Sequence, residues 1–314
     1  LSRASLALNI EEKFIKEQLL PLASEQSVIM REIEGVRSVY HPSYFYAEAI
    51  VAGTLISLAG SNNGEKEKAL IKEIEAYEKT KKITLAPNQR EAVISAINNG
   101  ITIITGGPGT GKTTTLDCIL HLFRKRGLAI SLAAPTGRAA KRMATATGED
   151  AKTIHRLLEY TRLDEGGFVF KRNKDNPLKA DVLVVDEASM IDIFLMQALL
   201  EGLQKGTRLI FVGDADQLAS VGAGNVLGDM IASEAFTTVR LDIIFRQAQE
   251  STIITNAHKI NNGINPVVNV KGGDFFLDRR ANENDICLTV VELVKNRLPN
   301  KYGVDPFVDI QVLT

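Results

Sequence analysis

Apolar positions follow two rhythms along this chain, and the change falls near residue 83. Before it the spacing is helical. Glu11 to Leu20, Tyr46 to Leu58 and Glu65 to Lys82 place apolar side chains three and four residues apart, the second interrupted by Gly53. In the third stretch Leu70, Ile71, Ile74 and Tyr77 share one side, while lysines and glutamates alternate elsewhere as on a solvated, salt-bridged face. Asn62-Asn63-Gly64 marks a break before it. From Ile83 onward short β-branched runs alternate with helical ones. Strands are expected at Ile101–Ile104, Leu128–Ala133, Val182–Val185, Leu209–Val212 and Val239–Leu241, with helices at 88–97, 112–125, 137–146, 191–204 and 224–233. Nearly continuous apolar strands separated by helices predict an α/β fold whose parallel sheet is buried on both faces.

One insertion interrupts that alternation. After a short helix at Thr153 to Tyr160, the stretch 163–177 offers Gly166-Gly167 as a turn and Phe168 to Arg172 as a strand. It reads either as a small β-hairpin projecting from the sheet or as an ordinary surface loop. Beyond Leu241, a helix at 282–297 and a strand at Asp309 to Leu313 look like the opening of a second α/β unit. The expected division is a helical accessory region at 1–82, a nucleotide-binding domain at 83–241, and the truncated start of a second domain at 242–314. A chain that opens Leu-Ser-Arg and closes on an apolar run is expected to be a piece of something longer.

Composition changes this picture little. With 314 residues, 45% hydrophobic and 24% charged, there is room for about two ordinary cores. A net charge of −1 argues against a wholly basic nucleic-acid coat, though not against a local basic groove. Apolar runs fall short of a membrane span and no signal peptide opens the chain, so no membrane partner and a cytoplasmic setting are expected. Cys118 and Cys287 stand far apart without ligand-spaced neighbours, and Cys118 is expected as a buried free thiol in a reducing compartment.

The chemistry begins where the strand at Ile101 runs into Gly106-Gly-Pro-Gly-Thr-Gly-Lys-Thr113, which fills the G-x-x-x-x-G-K-[ST] template. Its glycines let the backbone approach an anion, and successive N–H groups with the following helix N-terminus cradle phosphates. Lys112 supplies a mobile cation for the β and γ oxygens, and the Thr113 hydroxyl a ligand for Mg²⁺. Gly107, Gly109, Thr110, Gly111 and Thr114 complete the nucleotide-binding set. A dinucleotide fold is excluded, because the glycine spacing is G-x-G-x-G with a lysine following.

Downstream, Val182-Leu-Val-Val-Asp-Glu187 sets two carboxylates at the end of a buried strand, the edge at which open α/β sheets bind ligands. Asp186 is placed to hold Mg²⁺, and Glu187 to orient and deprotonate the attacking water. Leu209 to Leu218 repeats the design. There Gln217 is a candidate γ-phosphate contact, with Asp214 and Asp216 either functional or simple turn residues. Pro135-Thr136-Gly137 opens a helix bearing Arg138, Lys141 and Arg142, a combination suited to a polynucleotide phosphate. Arg246 falls at the join between the two α/β units, where an arginine finger in cis would act. His155 alone carries little.

Taken in order, these segments resemble a superfamily 1 DNA helicase of the RecD-like group, which includes the exonuclease V alpha subunit and the TraA-type relaxase helicases. Asn88-Gln89-Arg90 resembles the adenine-reading segment, Gly106–Thr113 motif I, and Ala134–Met143 motif Ia. Val185–Met190 resembles motif II, Gly213–Leu218 motif III, and Phe245-Arg246-Gln247 motif IV. Asn256–Asn261 and Gln311–Thr314 also resemble family segments. The resemblance implies a RecA-like P-loop domain plus part of a second, using ATP and Mg²⁺ for 5′ to 3′ translocation on single-stranded DNA. Duplex junctions would be unwound, with other recombination or repair subunits as partners. It further implies that Gln89 reads adenine and that Gln217 and Arg246 sense the γ-phosphate. Thr136, Arg138 and His155 would touch DNA, and 163–177 would be the strand-separating pin. Ala219 departs from the proline common at its position, and later motifs, a second arginine finger included, would lie beyond Thr314. A P-loop protein of another class, a kinase or signalling ATPase without a nucleic-acid role, is the alternative.

Overall fold

The computed structural model describes residues 2–33, 35–60, 64–162, 167–245 and 250–313. The chain divides into two compact units, Leu1–Ala248 and Gln249–Thr314. This border differs from both of those expected. Residues 1–82 fall in the same unit as the sheet, and the second unit starts a few residues past 242.

The first unit is built on six parallel strands: β3 (Ile101–Thr105), β4 (Ile130–Ala134), β5 (Ala151–Thr153), β8 (Val182–Val185), β9 (Arg208–Gly213) and β10 (Thr237–Arg240). They lie in the order β10-β3-β9-β8-β4-β5, all neighbours parallel. Alternate side chains go to opposite faces. Ile101, Ile103, Leu183, Val185, Leu209 and Phe211 enter one core, and Ile104, Val182, Val184, Ile210 and Val212 the other. The expected α/β fold with a parallel sheet is the observed one.

Helices cover both faces. On one lie α4 (Glu67–Lys81), α5 (Pro87–Asn98) and α6 (Lys112–Lys125), whose Leu70, Ile74, Ala92, Val93, Ile119 and Phe123 are buried. On the other lie α3 (Pro42–Ala59), α9 (Ile193–Glu201) and α10 (Val226–Ala232), through Val51, Leu55, Met196, Leu199, Leu227 and Met230. α3 and α4 were expected to belong to a separate accessory region. Each instead buries its apolar stripe against the sheet domain, one per face. The elements ahead of them are looser: α1 (Ser2–Leu8) and α2 (Glu12–Ser24) bury no residue. Next comes an antiparallel hairpin of β1 (Ile29–Ile33) and β2 (Val36–Tyr40). That hairpin corrects the all-helical reading of 1–82.

α7 (Gly137–Thr147) follows β4, and α8 (Ile154–Leu157) follows β5. The expected hairpin is present but begins earlier than 163, pairing β6 (Tyr160–Arg162) with β7 (Phe168–Phe170). Leu163 to Gly166, half of the expected turn among them, lie outside the described residues.

The second unit holds α11 (Thr252–Asn261), α12 (Glu283–Glu292) continued by a π turn, and α13 (Leu298–Tyr302). Asn256 is fully buried, donating to Val267 O at 2.6 Å and accepting from Val267 N at 2.8 Å. Asp309 to Leu313 forms no strand, contrary to expectation. Asp309 instead closes a turn, its backbone N–H donating to Asp305 O at 2.8 Å.

Candidate nucleotide site and its neighbours

Sheet order brings the chemical segments together. β3, β9, β8 and β4 are consecutive and in register, Thr105 beside Gly213, Phe211 beside Val185, Val185 beside Ala133. Their C-terminal ends therefore deliver the glycine loop, the Asp214 turn, Asp186-Glu187 and Thr136 to one edge, where parallel α/β sheets bind ligands.

Within the loop, Gly111 precedes α6 at φ 80°. A Cβ there would meet the Phe245 ring at 2.8 Å and crowd the Gln89 amide as well. Thr110 Oγ1 donates to Gly107 O at 2.9 Å, fixing the loop's curl. Lys112 folds back so that its ammonium donates to Gly106 O and, at 2.9 Å, to Gly107 O. Burial pulls this ammonium below the ordinary lysine range, against the opposing field of Asp214, Asp186 and Glu187. Thr113 and Thr114 are exposed on the first turn of α6.

Asp186 leaves β8 with its carboxyl pushed above the usual carboxylate range by burial, opposed by the Glu187 backbone N–H, which donates to its Oδ1 at 2.9 Å. Glu187 takes a left-handed backbone conformation (φ 53°), uncommon for a residue with a Cβ and a way of aiming its carboxylate at the edge. Arg142, projecting from α7, closes on Glu187 Oε1 and stands 3.6 Å from Asp186 Oδ2. Lys112, Thr113, Arg142, Met143 and Asp186 are among the residues around a cavity of about 50 Å³. A triphosphate needs several times that space, so Lys112, folded into the loop, has to swing out to admit it.

Asp214 forms the turn that one of the two readings expected. Its Oδ1 accepts from Asp216 N at 3.1 Å, an Asx turn, and its own carboxylate is buried facing Lys112. Gln217 is exposed beside that turn, its backbone N–H donating to Asp214 O at 3.2 Å. Gln89 is 1% exposed and its amide is engaged at both ends, accepting from Ala86 N at 2.9 Å and donating to Gly111 O at 3.2 Å. Thr136 caps α7 by accepting from Ala139 N at 3.2 Å, with Arg138 exposed in the first turn. His155 lies elsewhere, at the root of the hairpin, 5.3 Å from the Tyr160 ring and 5.8 Å from that of Phe170. Arg246 lies outside the described residues. Phe245 just before it is described, its backbone N–H donating to Gly109 O at 3.2 Å.

The residues present suit Mg²⁺-nucleotide. A glycine loop packed too closely for a Cβ at Gly106 or Gly111, a lysine inside it, and nearby hydroxyl and carboxylate oxygens form a hard-cation donor set. Among the described residues no three His, Cys, Asp or Glu side chains gather as a closed metal cage. Mg²⁺ asks for no such cage, because it keeps water and takes one or two protein oxygens. Sequence reading grouped Arg142 with Arg138 and Lys141, and missed that Arg142 turns inward to the carboxylates.

Known proteins match the same segment. The AAA domain family matches residues 89–223, from Gln89 through the glycine loop and acidic pair to the turn after Gln217. The ATP-dependent RecD2 DNA helicase of Deinococcus radiodurans is 39% identical over 182 residues, covering 58% of this chain and 24% of that protein. The RecBCD enzyme subunit RecD of Mycobacterium tuberculosis is 42% identical over 186 residues, covering 52% and 31%. Over this segment the chain is similar to RecD-type helicases. Among solved structures, Bacteroides Pif1 in complex with ADP-AlF4 is 25% identical, covering 58% of this chain and 47% of that one, with a TM-score of 0.38. The likeness to RecD rests on the sequence matches. This chain spans 24% and 31% of the length of the two curated relatives just named.

Proposed function

We propose that this chain is the nucleotide-binding part of an ATP-dependent DNA helicase that moves 5′ to 3′ along single-stranded DNA and opens duplex junctions during recombination or repair. One observation carries the reading. The glycine loop, the acidic pair and the Thr136 helix start emerge from one sheet edge, so a phosphate site and a strand-binding turn share a wall. The named relatives support it: one is an ATP-dependent DNA helicase and the other a subunit of the RecBCD enzyme.

In this reading Lys112 leaves the loop carbonyls and places its charge on the β and γ oxygens. Mg²⁺, when bound, neutralises phosphate charge, held by the Thr113 hydroxyl and Asp186. Glu187 takes a proton from the attacking water, and Gln217 and Arg246 sense the γ-phosphate. Gln89 serves the adenine by fixing the loop's shoulder. Thr136 and Arg138 meet strand phosphates, and the β6–β7 hairpin, with Tyr160 and Phe168 stacked at 5.1 Å and both exposed, meets bases at the fork. The unit from Gln249 opens a second motor lobe. The test is ATP turnover by the full-length protein with and without oligo-dT, then unwinding of gapped duplexes to fix polarity. Turnover indifferent to oligo-dT would return the chain to P-loop proteins without a nucleic-acid role.

A further inference from the structure

The acidic pair has a cationic neighbour with no part in the proposed hydrolysis. Arg142 bonds Glu187 and lies 3.6 Å from Asp186, on a helix that runs from the strand-binding turn to the hydrolytic centre. We infer that Arg142 is a positioning residue that couples strand binding to hydrolysis. It holds the Glu187 carboxylate until a strand engages the first turn of α7, and then gives it up to the attacking water. The inference rests on the proposed ATPase reading.

Its geometry is that of a lever. Arg138 and Arg142 are four residues apart and so share one face of α7, one at the strand end and one over the carboxylates. Ala139, Ala140 and Met143 are buried and tie the helix to the body, so a shift at Thr136 is transmitted along it as a unit. On the receiving side, Glu187 is already aimed by its left-handed backbone, and its side chain is 18% exposed against 64% for Arg142. A carboxylate whose lone pairs are taken by a guanidinium is a poor acceptor for a proton from water. A pair this open to solvent is also weak, as a contact broken in every cycle has to be. Asp186 gains from the same release. Removing Arg142 from 3.6 Å leaves its Oδ2 to the metal.

The experiment compares full-length wild type with Arg142→Ala and Arg142→Lys. It measures ATP turnover and KM with and without oligo-dT, and oligo-dT affinity by fluorescence anisotropy. Arg142→Ala should raise DNA-free kcat by about two- to fivefold, the range of an exposed ion pair, and cut the stimulation by oligo-dT by the same factor. KM for ATP and oligo-dT affinity should stay near wild type, and Arg142→Lys, which keeps a cation in reach, should lie between. Equal changes with and without DNA, or no change in either, would overturn the coupling role while the helicase reading stands. A wild-type enzyme that ignores oligo-dT would overturn both.

Discussion

At the scale of single residues, the proposed reading has the loop lysine serve binding and the acidic pair serve turnover. Lys112 sits inside the glycine curl on two backbone carbonyls, and no other cation is placed there among the described residues. Lys112→Ala should therefore lower ATP affinity by more than about tenfold by calorimetry. Glu187→Gln preserves shape and the approach to the loop, so binding should persist while single-turnover hydrolysis falls at least ~10²-fold. The two cysteines make a separate prediction. Cys118 is fully buried with its thiol pushed up to about 12 by burial, and Cys287 is exposed. Ellman's reagent should titrate a single thiol in the native chain and a second only after denaturation. Lys112, Asp186 and Glu187 were legible because each is defined by its immediate neighbours in sequence. Arg142 was not. Its partner stands 45 residues away, and which of three basic side chains on α7 reaches it depends on helix phase and on where β8 ends.

At the scale of elements, legibility followed burial. β3, β8 and β9 are mostly apolar, buried along nearly all of their length, and were readable as strands, as were the helices that carry a continuous stripe. β5, only Ala151-Lys-Thr153, is a strand by virtue of its pairing with β4 and has no pattern of its own. The β1–β2 hairpin does not alternate: Ile29, Ile33, Val36 and Tyr40 stand four, three and four residues apart, the spacing of a helix, which hid it. The joint between α4 and α5 was equally invisible, because it is polar. Glu78 accepts from Leu85 N at 2.7 Å and from Arg90 Nε and Nη2 at 3.0 and 2.6 Å. Glu78→Ala would leave a buried N–H and a guanidinium without their acceptor. It should cost about 2–3 kcal/mol, read from urea unfolding.

At the scale of the molecule, the proposed strand binding has to draw on local basic surface such as the first turn of α7, since the net charge is −1. Stimulation by oligo-dT should accordingly fall as salt rises, with a slope set by the few phosphates engaged. No described helix is long and apolar enough to cross a membrane. The sequence marked a border near residue 83 because the rhythm of the chain changes there, yet the fold ignores it: α3 and α4 grip opposite faces of the same sheet. Anyone trimming the gene at that apparent seam would strip the sheet of a cover on each side and be left with two oily wounds. The smallest expressible ATPase should instead begin ahead of Pro42.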